Sequence, residues 1–232
     1  MKENNNKLLK VFKKLIKFDT PTICNALELI NPIFQKKGYT KENFICLNKS
    51  LSPIIGFVRT AKIHSNLKNK ILTPKERAKY YKYMNEGNLP KICMIEDINK
   101  KPVGCFWGEV QTNIHKQMGF KGVVTNGSMR DLDATAKNFQ ILACSILPSH
   151  AYIELKNLGE KIKINKEYFE HNDIIHADQH GVVKIPLKYL FKLPEAIKKV
   201  LLNEKPILNM CKKNKFSLKR LEKILKSKNE CH

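Results

Sequence analysis

No C-x-x-C pair occurs among the seven cysteines, Cys24, Cys46, Cys93, Cys105, Cys144, Cys211 and Cys231. That removes the usual zinc-binding spacing, and an odd number cannot all pair within one chain, so reduced thiols are expected. Nor does any apolar run approach the roughly 20 residues needed to span a bilayer. Glycine-rich strand-to-helix loops are missing too, which leaves no cradle for a nucleotide cofactor and gives a methyltransferase reading no support. There is no internal repeat and no long linker of Gly, Ser or Pro. The 232 residues are therefore expected to form one domain with terminal additions. The N-terminal MKENNNKLLKVFKKLIKFDT breaks its apolar residues with lysines and offers no secretion signal. A cytoplasmic location is the expectation.

Acidic residues are scarce relative to basic ones, giving a formal net charge of +22. Basic proteins attract polyanions nonspecifically. Few of these charges are arginines, however, and no aromatic-basic interleaving suggests a stacking platform, so a solvated lysine surface is favoured over nucleic-acid binding. The densest basic segments, Lys7 to Lys17 and Lys212 to Lys228, carry helical apolar spacing: Leu8, Val11, Phe12, Leu15, then Phe216, Leu218, Leu221, Leu225. Such helices dock on a domain or a neighbouring subunit.

What remains reads as mixed α and β. Asp19 to Leu29 begins as a capped, proline-started helix. Ile54 to Ile63 and Lys91 to Glu96 read as strands, with a helix over Pro74 to Glu86 between them. Glu109 to Met118 is helical, with Gly119 placed to end it, and Gly122 to Thr125 is a short buried strand. Asn126-Gly127 is a turn, Asp131 to Asn138 a helix, and Gln140 to Leu147 a strand stopped by Pro148. Lys161 to Ile164, Asp173 to Ala177 and Val182 to Ile185 read as antiparallel strands before a closing helix over Leu187 to Leu202. This βα alternation suits a layered α/β sheet.

Chemistry concentrates between Gly108 and Asp133. Glu109 starts one helix and Arg130-Asp131 starts another, each beyond a strand-like segment, where α/β sheets open their clefts. Together the carboxylates of Glu109 and Asp131 suit a hard cation, Mg2+ or Mn2+, which takes one or two protein carboxylates and leaves positions for water and substrate. Arg130 offers a planar fork for a carboxylate or enolate oxygen.

Glu109, the twenty residues from Val110 to Met129, and Arg130-Asp131 resemble the acidic-x20-Arg-Asp pattern of the RraA-like family. Trp107-Gly108, Gly119, Gly122 and Asn126-Gly127 fit the same pattern. Further resemblance lies in Phe18 to Leu27 (FDTPTICNAL), Ile55 to Ala61 (IGFVRTA) and Asn172 to Val183 (NDIIHADQHGVV), so that it covers a core of about residues 18–210. Basic helical N- and C-terminal extensions flank that core.

The resemblance implies an α/β fold, the layered swivelling β/β/α domain of this family, assembled as trimers or hexamers. It also implies a class II lyase that cleaves 4-hydroxy-4-methyl-2-oxoglutarate-type acids to pyruvate and decarboxylates oxaloacetate. Asp131 would bind the divalent metal and Glu109 would act on it through water. Arg130 would contact the pyruvate moiety, and the backbone of Val110 and Gln111 its carboxylate. A glutamate from an adjacent subunit would complete the site; Glu204 is the first choice and Glu195 the second. Glu109 and Asn126 depart from the pattern, since aspartate is common at both positions. The alternative is a protein-binding regulator of ribonuclease E.

Other residues invite blander readings. His176, Asp178 and His180 alternate like ligands but fit hairpin chemistry better. For His150 a hydrogen-bonded structural histidine is the preferred reading over one that approaches the cleft, and Trp107 is expected to be a core or contact residue. No lysine sits in an apolar segment convincing enough for a Schiff base.

Overall fold

The computed structural model describes residues 2–66, 72–99, 101–212 and 216–229. Helix α1 (Lys2–Leu15) leads into α2 (Thr20–Ile30), whose N-cap Asp19 accepts from the Thr22 amide at 2.9 Å. A 3-10 turn (Pro32–Gln35) and strand β1 (Ile45–Cys46) precede the long β2 (Ile54–Asn66). Helix α3 (Pro74–Asn85) begins with a capping box between Thr73 and Glu76 and is followed by β3 (Lys91–Asp97). Then come α4 (Glu109–Gln117), β4 (Phe120–Thr125), β5 (Ser128–Met129), β6 (Gln140–Ala143) and β7 (Ser145–Ile146). The C-terminal third holds β8 (Tyr152–Leu158), β9 (Ile162–Ile164), β10 (Glu167–Phe169), β11 (Ile174–Asp178) and β12 (Gly181–Ile185). Helices α5 (Leu187–Leu190), α6 (Leu193–Lys212) and α7 (Leu218–Asn229) follow.

One sheet organises these elements in the order β1-β6-β4-β3-β2-β11-β12, and β8 also pairs with β2. β2, β3, β4 and β6 run parallel; β11, β12, β8 and β1 join antiparallel. Central strands buried on both faces call for a continuous apolar run, as in Ile92-Cys93-Met94-Ile95 of β3. Alternation then divides them: Cys93, Ile95, Val123 and Ile141 pack under α3 and α4, while Ile92, Met94, Val124 and Leu142 pack against Ile162, Ile164 and Phe169 of the β9–β10 hairpin. A third cluster joins α1, α2 and α6 to the β11–β12 edge through Phe12, Leu27, Ile174 and Ile197.

Three expectations are corrected. Asp131 to Asn138 is not a helix, because Asp131 adopts φ +54°, in the left-handed region that a right-handed helix cannot begin from. Successive turns replace it, held by the Ala134 amide on Asp131 O (3.0 Å) and the Ala136 amide on Thr112 Oγ1 (3.0 Å). Gln140 to Leu147 divides into β6 and β7 at Cys144, whose amide turns aside to Gly127 O (3.0 Å). The closing helix breaks after Leu190, where Pro194 lacks the amide to continue it, restarts at Leu193 as α6 and runs on past Leu202 to Lys212. Strands β1, β5, β8 and β10 were not foreseen. In the basic C-terminal segment α7 is helical, while residues 213–215 lie outside the described residues, as does Cys231.

No described helix is long and apolar enough to cross a membrane. The six described cysteines are free thiols.

Candidate active site

Four chain segments meet at one end of the parallel strands. Cys105 pairs with His150, Trp107 with Met129 and β5 with β7, so the segments before α4, after β4, after β6 and before β8 are stitched by backbone bonds. The Arg130 amide donates to Trp107 O at 3.0 Å and the Cys105 amide to Ser149 O at 2.9 Å. Between this rim and α3 lies a cleft of about 320 Å³.

Gly108 is the N-cap of α4 and supplies no side-chain cap. Asp131 takes that role: its Oδ2 accepts from the Glu109 amide at 3.2 Å and lies 3.5 Å from Arg130 Nε. A Cβ on Gly108 would collide with the same oxygen, so this contact requires glycine at 108. First-turn amides of a helix have no intrahelical acceptor and carry the positive end of its dipole. The amides of Val110 and Gln111, both lining the cleft, are thus available to an anion beside Arg130.

Sequence-selected residues separate into two groups. Val110, Gln111, Arg130 and Asp131 line the cleft; Glu109 is exposed next to them at the helix start. Glu195 and Glu204 are exposed on α6 and line no part of this cleft. His150 does line it, edge-on to Tyr152 at 5.8 Å, rather than serving as a buried structural histidine. Trp107 is a core residue, 1% exposed. Asn126 donates from Nδ2 to Asp97 O and accepts at Oδ1 from the Asp97 amide, both at 2.7 Å; an ionised aspartate cannot do the first.

Away from the cleft, Asp178 accepts from the Thr20 amide (2.8 Å) and the His180 amide (2.8 Å), and His176 Nδ1 meets Thr20 Oγ1 at 2.9 Å. This trio ties the start of α2 to the β11–β12 hairpin. It is structural chemistry.

Sequence reading missed α3's contribution. Tyr80, Tyr81 and Arg77 line the cleft from about fifty residues before Arg130, a separation that no local pattern bridges. Behind them His115 is held between Tyr80 Oη on Nε2 (2.8 Å) and Gln111 O on Nδ1 (2.8 Å), which makes Nδ1 the protonated nitrogen and fixes α3 against α4. Burial pushes its pKa down to about 4, so the ring is neutral.

Among the described residues no group of three or more His, Cys, Asp or Glu gathers at one point. A hard divalent cation does not need one: Asp131, with Oδ2 engaged as above and no described bond to Oδ1, offers the single carboxylate such an ion accepts alongside water. The donor set fits Mg2+ or Mn2+ and not a soft metal.

A family model described as RraA-like, Aldolase/RraA, matches residues 20–184. No curated protein sequence matches the chain. Among solved structures, one described as novel cellulases from microbes associated with the gut ecosystem is 18% identical, covering 84% of this chain and 86% of that chain, with a TM-score of 0.70. An uncharacterized protein from Pseudomonas syringae pv. tomato shares 15% identity over 88% of this chain and 93% of that one, at a TM-score of 0.65. RraAS2 of Streptomyces coelicolor, described as an unusual member of the RNase ES inhibitor RraA family, shares 16% identity over 84% and 92%, at 0.63. These likenesses establish the common α/β fold. Together with the family model over most of the chain, they make this protein a member of the RraA-like family, which holds both lyases and ribonuclease inhibitors.

Proposed function

We propose that the chain is a divalent-metal-dependent lyase, cleaving 4-hydroxy-2-oxo acids of the 4-hydroxy-4-methyl-2-oxoglutarate type to pyruvate and decarboxylating oxaloacetate. The observation that carries this reading is the convergence of Arg130, Asp131 and the open α4 N-terminus in one cleft. Asp131 and, through water, Glu109 would hold the ion. When bound, it supplies Lewis-acid polarisation of the 2-oxo carbonyl.

In this mechanism the Val110 and Gln111 amides bind the C1 carboxylate. Arg130 donates to the oxygen on which negative charge develops, an interaction that strengthens as the enolate forms. Glu109 is the base we assign to the C4 hydroxyl proton, relayed through water. Loss of that proton breaks C3–C4, the electron pair passes to the enolate, and a proton returns at C3 to give pyruvate. Oxaloacetate loses CO2 to reach the same enolate. Glu204 would complete the site of a neighbouring copy in a trimer or hexamer.

The test is a coupled pyruvate assay with 4-hydroxy-4-methyl-2-oxoglutarate. Turnover should require Mg2+ or Mn2+, stop with a chelator, and fall roughly 10²–10³-fold in Arg130→Ala, the scale of losing one charge-stabilising donor. Undiminished turnover in either case overturns the mechanism. The ribonuclease-inhibitor reading, to which the likeness to RraAS2 points, predicts no turnover together with binding to ribonuclease E.

A further inference from the structure

The lyase reading uses one end of the cleft and leaves the α3 wall without a role. That wall carries a second permanent cation, Arg77, on the same lining as the hydroxyl of half-buried Tyr152 and the ring of His150. A capping box fixes the start of α3, and Arg77 Nε donates to Leu72 O at 3.3 Å, just ahead of the helix. The acceptor is a neutral carbonyl, so this contact holds the side chain beside the cleft without cancelling its charge. Neither the terminal nitrogens of Arg77 nor Tyr152 Oη have a described partner, and α3 packs against β8, the strand that begins with Tyr152. Asp131 is the one carboxylate among the described lining residues, and it stands 3.5 Å from Arg130. Arg77 is therefore the cation on the lining without a counter-charge. Tyr80, Tyr81 and Phe106 make much of the remaining lining apolar, a setting that strengthens a charge-assisted hydrogen bond and penalises an unpaired charge.

We propose that Arg77, with the Tyr152 hydroxyl donating alongside it, binds the C5 carboxylate of a 4-hydroxy-2-oxo diacid and so sets a preference for substrates with an acid group at each end. This rests on the lyase reading of the same cleft. The C1 carboxylate lies on the Val110 and Gln111 amides beside Arg130, while the C5 carboxylate meets a planar fork whose N–H groups match its two oxygens. His150, exposed on the same lining, offers a further ring N–H to that group. About 320 Å³ accommodates such a diacid at the small end of the range for ligand pockets and exceeds what a pyruvate unit alone fills. Holding both ends keeps C3–C4 in place while it breaks and retains the departing 2-oxo acid until the enolate has taken its proton. Arg77 is thus a specificity-determining residue and takes no part in the bond cleavage itself.

Calorimetric titration of the full chain in excess Mg2+ tests this with 2-oxoglutarate against 2-oxopentanoate, a matched pair that lacks the C4 hydroxyl, is not cleaved, and differs only in a methyl group replacing the C5 carboxylate. The wild type should bind 2-oxoglutarate at least about tenfold more tightly, the scale of one hydrogen bond to a charged group. Arg77→Met should bring that ratio close to unity, and Arg77→Glu should carry it below unity, a reversal that misfolding cannot produce. Tyr152→Phe should lower it by a smaller factor. A wild-type ratio near unity, or a ratio unmoved in both Arg77 variants, overturns the proposal, and a ratio unmoved by Tyr152→Phe removes that hydroxyl from it. Pyruvate titrated alongside separates the failures: if pyruvate binds and 2-oxoglutarate is not preferred, only this inference falls. If pyruvate itself does not bind in Mg2+, the lyase reading falls with it.

Discussion

Gly108 and Asp131 are a matched pair, and each explains the other's residue type. The carboxylate that caps α4 sits where any Cβ on residue 108 would be. Gly108→Ala should therefore displace Asp131 rather than unfold the chain, lowering turnover on the order of 10²-fold, the scale of a 1 Å misplacement, with a nearly unchanged melting temperature. A large drop in melting temperature would show that Gly108 serves the fold instead. Asp131 has φ +54°, which Asp and Asn tolerate better than other side chains. Asp131→Asn should thus keep the turn while abolishing metal-dependent turnover, as measured by circular dichroism beside the pyruvate assay. At this scale the sequence was legible where chemistry and spacing coincide, at Glu109, Arg130 and Asp131. It was illegible at Asp131's backbone, because a single left-handed residue leaves no trace in hydrophobic periodicity.

Elements carry a separate prediction. His115 joins α3 to α4, and His176 joins β11 to the start of α2; both are fully buried, and burial lowers each pKa to about 4 from the usual 6.5. Below pH 6.5 the unfolded chain takes up protons that the folded chain refuses. Stability should accordingly be complete above about pH 6.5 and fall toward pH 4, by roughly 1.4 kcal/mol per pH unit for each histidine. Denaturant melts between pH 7.5 and 4.5 measure this, and His176→Gln should flatten the slope. A pH-independent midpoint would contradict it. Helix α2 could be placed from its cap and start, Asp19-Thr20-Pro21, and α4 from its helical pattern with Gly119 placed to end it. The edge strands β8 and β10 could not, since partly exposed strands such as YIELKNL lack the continuous apolar run that marks β3. The aromatic wall of the cleft was hidden for a related reason: Tyr80 and Tyr81 read as ordinary helix residues until the sheet brings α3 over α4.

For the whole molecule, the exposed position of Glu204 on α6 is compatible with service to a neighbouring copy's site. If it serves there, mixing inactive Asp131→Asn chains with inactive Glu204→Ala chains should restore part of the turnover as hybrid contacts form. Failure to recover activity after subunit exchange, verified by mass, would remove Glu204 from the site. The cleft was legible only in part because its α3 wall lies about fifty residues before Arg130 in the chain. The account as a whole stands on Arg130-Asp131 doing chemistry rather than marking ancestry. Its most direct test is pyruvate release from oxaloacetate by the wild type and by Asp131→Asn, each with Mg2+ and with chelator. Turnover confined to the wild type with Mg2+ is the predicted result; equal rates in both proteins, or no wild-type rate above the metal-only background, would contradict it.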